Sequence, residues 1–248
     1  VPDAMEGYIT MGALGMDDDL RKLDGLSGEP DLRRACRPFG DNVGFTISEG
    51  AQFTILMDDE LAVELGAEVY GAVPDVYINA DGHKKSISAP GVGNYITVAK
   101  AAGLANNLLG NLDGRSFIHA HGTGTPANRV SESHIFNETA KAFGIQNWPV
   151  AAIKCYLGHS IGASGGDQLM SALGTWHYGI IPGIATIDKA ADDVFDSNLA
   201  ISPEHKQVDK DNLDVALLNA KGFGGNNATA VVLSPVVARK MLINKHGA

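Results

Sequence analysis

Three glycine-bearing loops, each entered from a short apolar run, constrain this chain more than any other feature. They are His121-Gly122-Thr123-Gly124-Thr125-Pro126, Lys154-Cys155-Tyr156-Leu157-Gly158-His159 and Asn219-Ala220-Lys221-Gly222-Phe223-Gly224-Gly225-Asn226-Asn227. The runs before them (116–121, 149–154 and 214–219) have the length and apolar content of buried strands. A further strand pattern follows at 228–234, and helical patterns occupy 94–109, about 130–143 and 165–178. Strands alternating with helices predict an α/β layered sheet. In such sheets ligand sites gather beyond the C-terminal strand ends, so the three loops are expected to form one site. The chain has 30 glycines in 248 residues, above the usual share of about 7%. Their concentration in these loops points to close approach of backbone to backbone or to ligand.

The first 80 residues are less regular. Residues 1–16 mix apolar residues and glycine with almost no charge and read as an interior segment; 17–34 are densely charged and read as a surface excursion. Residues 43–57 read as strand-like, 58–66 as a short helix with an acidic start, and 67–80 as another strand. Asp81-Gly82, Pro90, Gly91 and Gly93 mark a loop and a junction. The formal charge of −10 argues against nucleic acid or an anionic membrane as partner. No apolar run reaches the ~18–20 residues of a membrane span, and no secretory leader is visible. Two cysteines exclude a disulfide scaffold and fit a reducing, cytoplasmic setting.

The loops also carry ionisable residues. His121 at a strand end, followed by glycine, is free to point into a cleft, while Thr123 and Thr125 can fix the turn. Lys154 ends an apolar strand and needs a partner, for which Glu132 serves. His159 precedes a helix opening Ser164-Gly165-Gly166-Asp167, a pattern like a capping box. A helix start favours the neutral imidazole, which can donate to a developing oxyanion. Phe223 between glycines suggests a mobile aromatic, with exposed N–H groups at Phe223 and Gly224 able to bind an oxyanion. Neither a dinucleotide G-x-G-x-x-G nor a phosphate-binding G-x-x-x-x-G-K-[ST] is present. His119, His121 and His159 leave a three-histidine metal site as a weaker alternative, with no acid close in sequence to orient the imidazoles.

HGTGTP, then Glu132, then K-C-Y-L-G-H and N-A-K-G-F-G-G-N-N, in that order, resemble the condensing enzymes, specifically the beta-ketoacyl-acyl-carrier-protein synthases and polyketide ketosynthase domains. R-P-F-G-D-N-V-G-F-T-I-S-E-G-A at 37–51 is similar to a further family segment. The resemblance implies a thiolase-like α/β/α/β/α fold, a homodimer, no cofactor and no metal. It implies decarboxylative Claisen condensation of an acyl thioester with malonyl carrier protein, in fatty-acid or polyketide biosynthesis. By position, His121 and His159 become the histidines that donate to the malonyl thioester oxygen, Lys154 the family lysine, Glu132 its carboxylate partner and Phe223 the gate. The partner is acyl carrier protein carrying acyl and malonyl groups. Arg33, Arg34, Lys84 and Lys85 are candidate contacts for it, and Arg37 with Arg33 and Arg34 forms a weaker candidate docking patch.

The family's nucleophilic cysteine has no counterpart here: Cys36 and Cys155 both fall elsewhere. Lys221, Arg129 and His119 also depart from the family pattern. The expectation is a C-terminal portion, with residues 1–86 ending one thiolase-like half and 87–248 forming the second, completed by an upstream N-terminal half that brings the cysteine; the isolated chain would be inactive. The alternative is a non-catalytic partner subunit of the chain-length-factor type. A Cys155–His159 nucleophile and a thiolase proper are weaker alternatives, the latter because 219–227 lacks a cysteine.

Overall fold

A computed structural model of the chain describes residues 2–83 and 91–247. Lys84, Lys85, Pro90 and the expected 86/87 boundary lie outside the described residues. The elements in chain order are α1 (Pro2–Thr10), α2 (Asp17–Asp24), α3 (Asp59–Glu64), β1 (Ala72–Ala80), α4 (Gly93–Leu109), β2 (Ser116–His119), α5 (Pro126–Ala142), β3 (Trp148–Ala151), α6 (Lys154–Leu157), α7 (Ser164–Tyr178), β4 (Ile180–Ile181), β5 (Leu199–Ala200), β6 (Lys206–Gln207), β7 (Val215–Gly222), β8 (Asn226–Leu233) and α8 (Pro235–His246).

Six strands form one sheet in the order β1-β8-β7-β2-β3-β5, while β4 and β6 pair separately. Strands β7, β2, β3 and β5 run parallel, and β8 and β1 extend the sheet antiparallel. The parallel strands are short and apolar because both their faces are covered. Ile118, Val150, Val215 and Leu217 pack on one face with α4 and α5, through Val98, Ala101, Ala102, Ile135 and Phe136. Phe117, Ala151, Ala216 and Leu218 pack on the other with Ala172 and Trp176 of α7. The alternation along β2 and β7 is the two-residue period of a strand between two helical layers.

Several sequence expectations change. Residues 43–57 form no continuous strand: only Phe45 and Ile47 make isolated bridges, to Leu14 and His159. The following apolar stretch is unpaired and exposed, with Phe53 at 94% and Ile55 at 87% accessibility. Of the stretch expected to be interior, α1 is a mostly exposed helix with Ile9 uncovered, and among the described residues the burial is confined to Ala13 and Leu14 after it. Helix α5 begins at Pro126, earlier than periodicity suggested, because proline suits the first helical turn. Lys154 begins the short α6 instead of ending β3. Strand β7 runs on through Gly222, so the third loop shrinks to a tight turn at 223–225.

Segment 37–48 is clamped from several sides. Arg37 is buried and pairs with Asp24, so it is a structural tether and not a docking residue. Arg33 pairs with Asp31 and Arg34 with Asp188. Arg129 of α5 grips Asp193 with two N–H groups at 2.8 and 3.0 Å and donates to the Gly40 carbonyl at 3.1 Å. Gly44 has φ of 153°, and a Cβ there would collide with the Leu14 and Gly15 backbone. Gly44→Ala is therefore expected to destabilise the chain by about 2–3 kcal/mol, the range of severe overpacking, in a urea titration.

Candidate active site

Because β7, β2 and β3 are parallel neighbours, the chain leaves all three at the same edge of the sheet. His121 follows β2, Lys154 and His159 follow β3, and Phe223 caps β7. The structure thus brings the three loops together.

The centre of the arrangement is the His121 peptide. Glu132, fully buried on α5, accepts from the His121 N–H at 2.7 Å and the Gly122 N–H at 2.9 Å. Its carboxylate also accepts from Asn128 Nδ2 at 2.8 Å and Asn219 Nδ2 at 2.7 Å. Lys154, only 2% exposed, donates from Nζ to the His121 carbonyl at 2.6 Å. The expected direct Lys154–Glu132 pair is therefore replaced by a shared peptide: the ammonium binds its oxygen and the carboxylate its N–H. Burial lowers the Lys154 pKa to about 8, partly offset by the attraction of Glu132.

His121 and His159 are both buried, with ring centroids 5.2 Å apart and planes at 82°. Burial, reinforced by the positive Lys154, lowers His159 to about 3; the same causes, with His159 and Lys221 added, push His121 well below its ordinary value. Both rings are neutral at physiological pH. Nδ1 of His159 accepts from the Ile161 N–H at 3.2 Å, which leaves the proton on Nε2. Ile161 holds φ of 55°, a left-handed conformation rare for a β-branched residue. The His159 peptide is fixed on both sides, its N–H donating to Thr46 at 2.7 Å and its carbonyl accepting from Ser48 at 3.0 Å. The S-x-x-D pattern does not cap α7: its N-cap is Ala163, and Asp167 instead accepts from Ser160 Oγ and Gln52 Nε2.

Thr123 and Thr125 hydroxyls lie 3.1 Å apart and tie the first loop. A Cβ on Gly124 would meet the Gly44 carbonyl, so only glycine lets that loop lie against segment 37–48. In the third loop, Gly224 and Gly225 have φ of 85° and 90°, and Phe223 is half exposed. Aromatic rings run inward from it: Phe223 to Tyr8 (5.6 Å), Tyr8 to Phe45 (5.4 Å), and Phe45 to His159 (5.3 Å).

Cys36 and Cys155 are buried, and burial raises their thiols to about 11 and about 12. Neither has the environment of a reactive thiolate. His119 is fully buried, and neither ring nitrogen has a hydrogen-bond partner among the described residues. No group of three or more His, Cys, Asp or Glu side chains arranged to hold a metal occurs among the described residues.

Sequence reasoning missed Asn219, Asn128, Gln168, Tyr8 and Phe45. Asn219 is fully buried in β7 and bonds Glu132, Asn94 and Thr229. Gln168 Nε2 bridges the Ala120 and Asn219 carbonyls at 2.7 and 2.8 Å, joining the end of β2 to the middle of β7. An amide interrupting an apolar run was the available signal for Asn219. The aromatic contacts join distant segments and left no local one.

Two histidines held neutral, at least one a fixed Nε2 donor, over a lysine-anchored peptide form a site suited to stabilising negative charge on an oxygen. Residues 70–188 match the family described as beta-ketoacyl synthase, C-terminal domain. The chain belongs to the beta-ketoacyl synthase family, and its fold is that of the C-terminal portion of a thiolase-like ketosynthase. It is 57% identical over its whole length to the beta-ketoacyl-[acyl-carrier-protein] synthase FabY of Pseudomonas aeruginosa, of which it spans 39%. The crystal structure of the noncanonical ketosynthase FabY from P. aeruginosa superposes with a TM-score of 0.95 at 56% identity, over 100% of this chain and 39% of that one. The ishigamide ketosynthase/chain length factor superposes with a TM-score of 0.71 at 25% identity, over 94% of this chain and 51% of that one.

The depressed Lys154 pKa has a thermodynamic consequence. Between pH 8 and 10.5 the unfolded state binds more protons than the folded state, so stability rises with pH. Relative to Lys154→Met, the native chain should gain about 3 kcal/mol of unfolding free energy across that window, measured by urea titration at several pH values. Separately, Ile161→Gly removes the left-handed strain and should raise the melting temperature by about 2–4 °C, as seen by calorimetry.

Proposed function

We propose that this chain provides the malonyl-decarboxylating part of a beta-ketoacyl-acyl-carrier-protein synthase. The observation that carries the reading is the pair of buried, neutral histidines, His121 and His159, behind the peptide gripped by Lys154 and Glu132. The malonyl thioester oxygen accepts hydrogen bonds from the two imidazoles. As the carboxylate leaves as carbon dioxide, the electrons of the broken C–C bond form an enolate whose oxygen these donors stabilise. A neutral imidazole does so without protonating the carbanion, which is needed as nucleophile. The carbanion then attacks an acyl thioester and expels a cysteine thiolate. Phe223 gates the site, and the N–H groups of Phe223 and Gly224 serve the acyl-transfer oxyanion.

The cysteine belongs to polypeptide outside this chain, since Cys36 and Cys155 are buried with raised pKa values. The exposed apolar stretch with Phe53, Ile55 and Leu56, and the exposed Ile78 of β1, suit cover by an upstream thiolase-like half. In this reading residues 1–86 finish that half, 87–248 form the second, and the assembled five-layer protein is a cytoplasmic homodimer served by acyl carrier protein. The similarity to a protein named FabY favours a fatty-acid role over a polyketide one.

In the complete protein, His121→Ala and His159→Ala should each lower malonyl decarboxylation by about 10²–10³-fold, the usual loss for one oxyanion donor, while acylation stays detectable. Unchanged decarboxylation in both variants overturns the assignment. The isolated chain should take up no acyl group from acyl carrier protein; a stoichiometric thioester on Cys155 overturns the upstream nucleophile. If the nucleophile position upstream holds no cysteine, the chain is a partner subunit of the chain-length-factor type.

A further inference from the structure

Lys221 sits in β7 two residues before the Phe223 turn. Its Nζ donates to Asn128 Oδ1 and Ser131 Oγ, both at 3.0 Å, near the start of α5. That contact and the Glu132 carboxylate favour the same sense of the Asn128 amide. With its oxygen held by the lysine, Nδ2 faces Glu132 and donates to Oε2 at 2.8 Å. Glu132 Oε2 in turn receives the Gly122 N–H, and Oε1 the His121 N–H. A continuous run of hydrogen bonds thus joins the strand carrying the aromatic turn to the loop carrying His121. Rotated by half a turn, the amide would set its oxygen against the Glu132 carboxylate and its NH2 against the Lys221 ammonium; without the lysine Glu132 alone holds the orientation, and the amide oxygen loses its anchor. An apolar side chain at 221 supplies no such anchor.

We propose that Lys221 is a positioning residue that orients the Asn128 amide toward Glu132 and so couples the Phe223 turn to the His121 loop. Its catalytic consequence rests on the function proposed above, whereas its structural consequence does not, and the two are measured separately.

In the 248-residue chain, amide hydrogen exchange is followed by NMR at His121 and Gly122, with Ile118 as reference in β2. Lys221→Met should speed exchange at His121 and Gly122 by about tenfold or more, the mark of local rather than global opening, and leave Ile118 unchanged. Lys221→Gln, whose amide can donate to the same Asn128 oxygen, should retain part of the protection. In the complete protein, Lys221→Met should lower kcat for malonyl decarboxylation about tenfold with KM within about twofold, as expected for misplaced donors. Lys221→Met combined with Asn128→Ala should be no slower than the worse single variant, because both break one run of bonds.

Unchanged exchange at His121 and Gly122 in Lys221→Met overturns the proposal, as do losses in the double variant that multiply. Faster exchange at His121 and Gly122 with decarboxylation intact supports the structural coupling and removes its catalytic consequence.

Discussion

The buried carboxylate of Glu132 is the interaction on which the site depends. A charge withdrawn from water is tolerated only when its lone pairs are satisfied, and here four N–H donors meet it. Those donors come from the His121 loop, helix α5 and strand β7. Each is therefore fixed relative to the others by the need to keep one anion solvated by protein. The Lys154 ammonium completes the arrangement across the peptide it shares with the carboxylate, so two opposite buried charges polarise one amide without touching.

The same burial that makes Glu132 demanding makes the histidines useful. Withdrawn from water beside a cation, an imidazole gives up its positive charge and keeps a single N–H. For His159 the backbone decides which nitrogen holds it, through a residue kept in an unfavourable conformation. Local strain is here tied to the orientation of a polar group, and the surrounding contacts with Thr46, Ser48 and Phe45 over-determine it.

Much of this was legible in the sequence. The strand–loop–helix order placed His121, Lys154, His159 and Phe223 at one sheet edge because parallel strands end on the same side. A neutral His159 was expected from the helix start after it; in the structure burial, with Lys154 beside it, is what keeps both rings neutral. What failed did so for physical reasons. Residues 43–57 carry strand-forming side chains, yet among the described residues no neighbouring strand pairs with most of them, and propensity without a partner gives only the bridges at Phe45 and Ile47. The Lys154–Glu132 pair was inferred from charge complementarity, which does not reveal an intervening peptide. Asp167 looked like part of a cap, but tertiary donors from Ser160 and Gln52 outcompeted the local turn. Tyr8 and Asn128 act through contacts between distant segments, for which spacing along the chain is silent.

The pairing of β7 with β8 has a mechanical meaning. Their ladder is closed from Val215↔Leu233 to Gly222↔Asn226, so the strands on either side of the turn are locked residue against residue. Only three residues are left outside the ladder, and two of them are glycines with left-handed dihedrals. Such a turn is too short to sweep across the sheet edge that carries His121 and His159. Whatever freedom the Phe223 ring has is that of one side chain on a glycine-bearing turn whose two ends the sheet holds fixed.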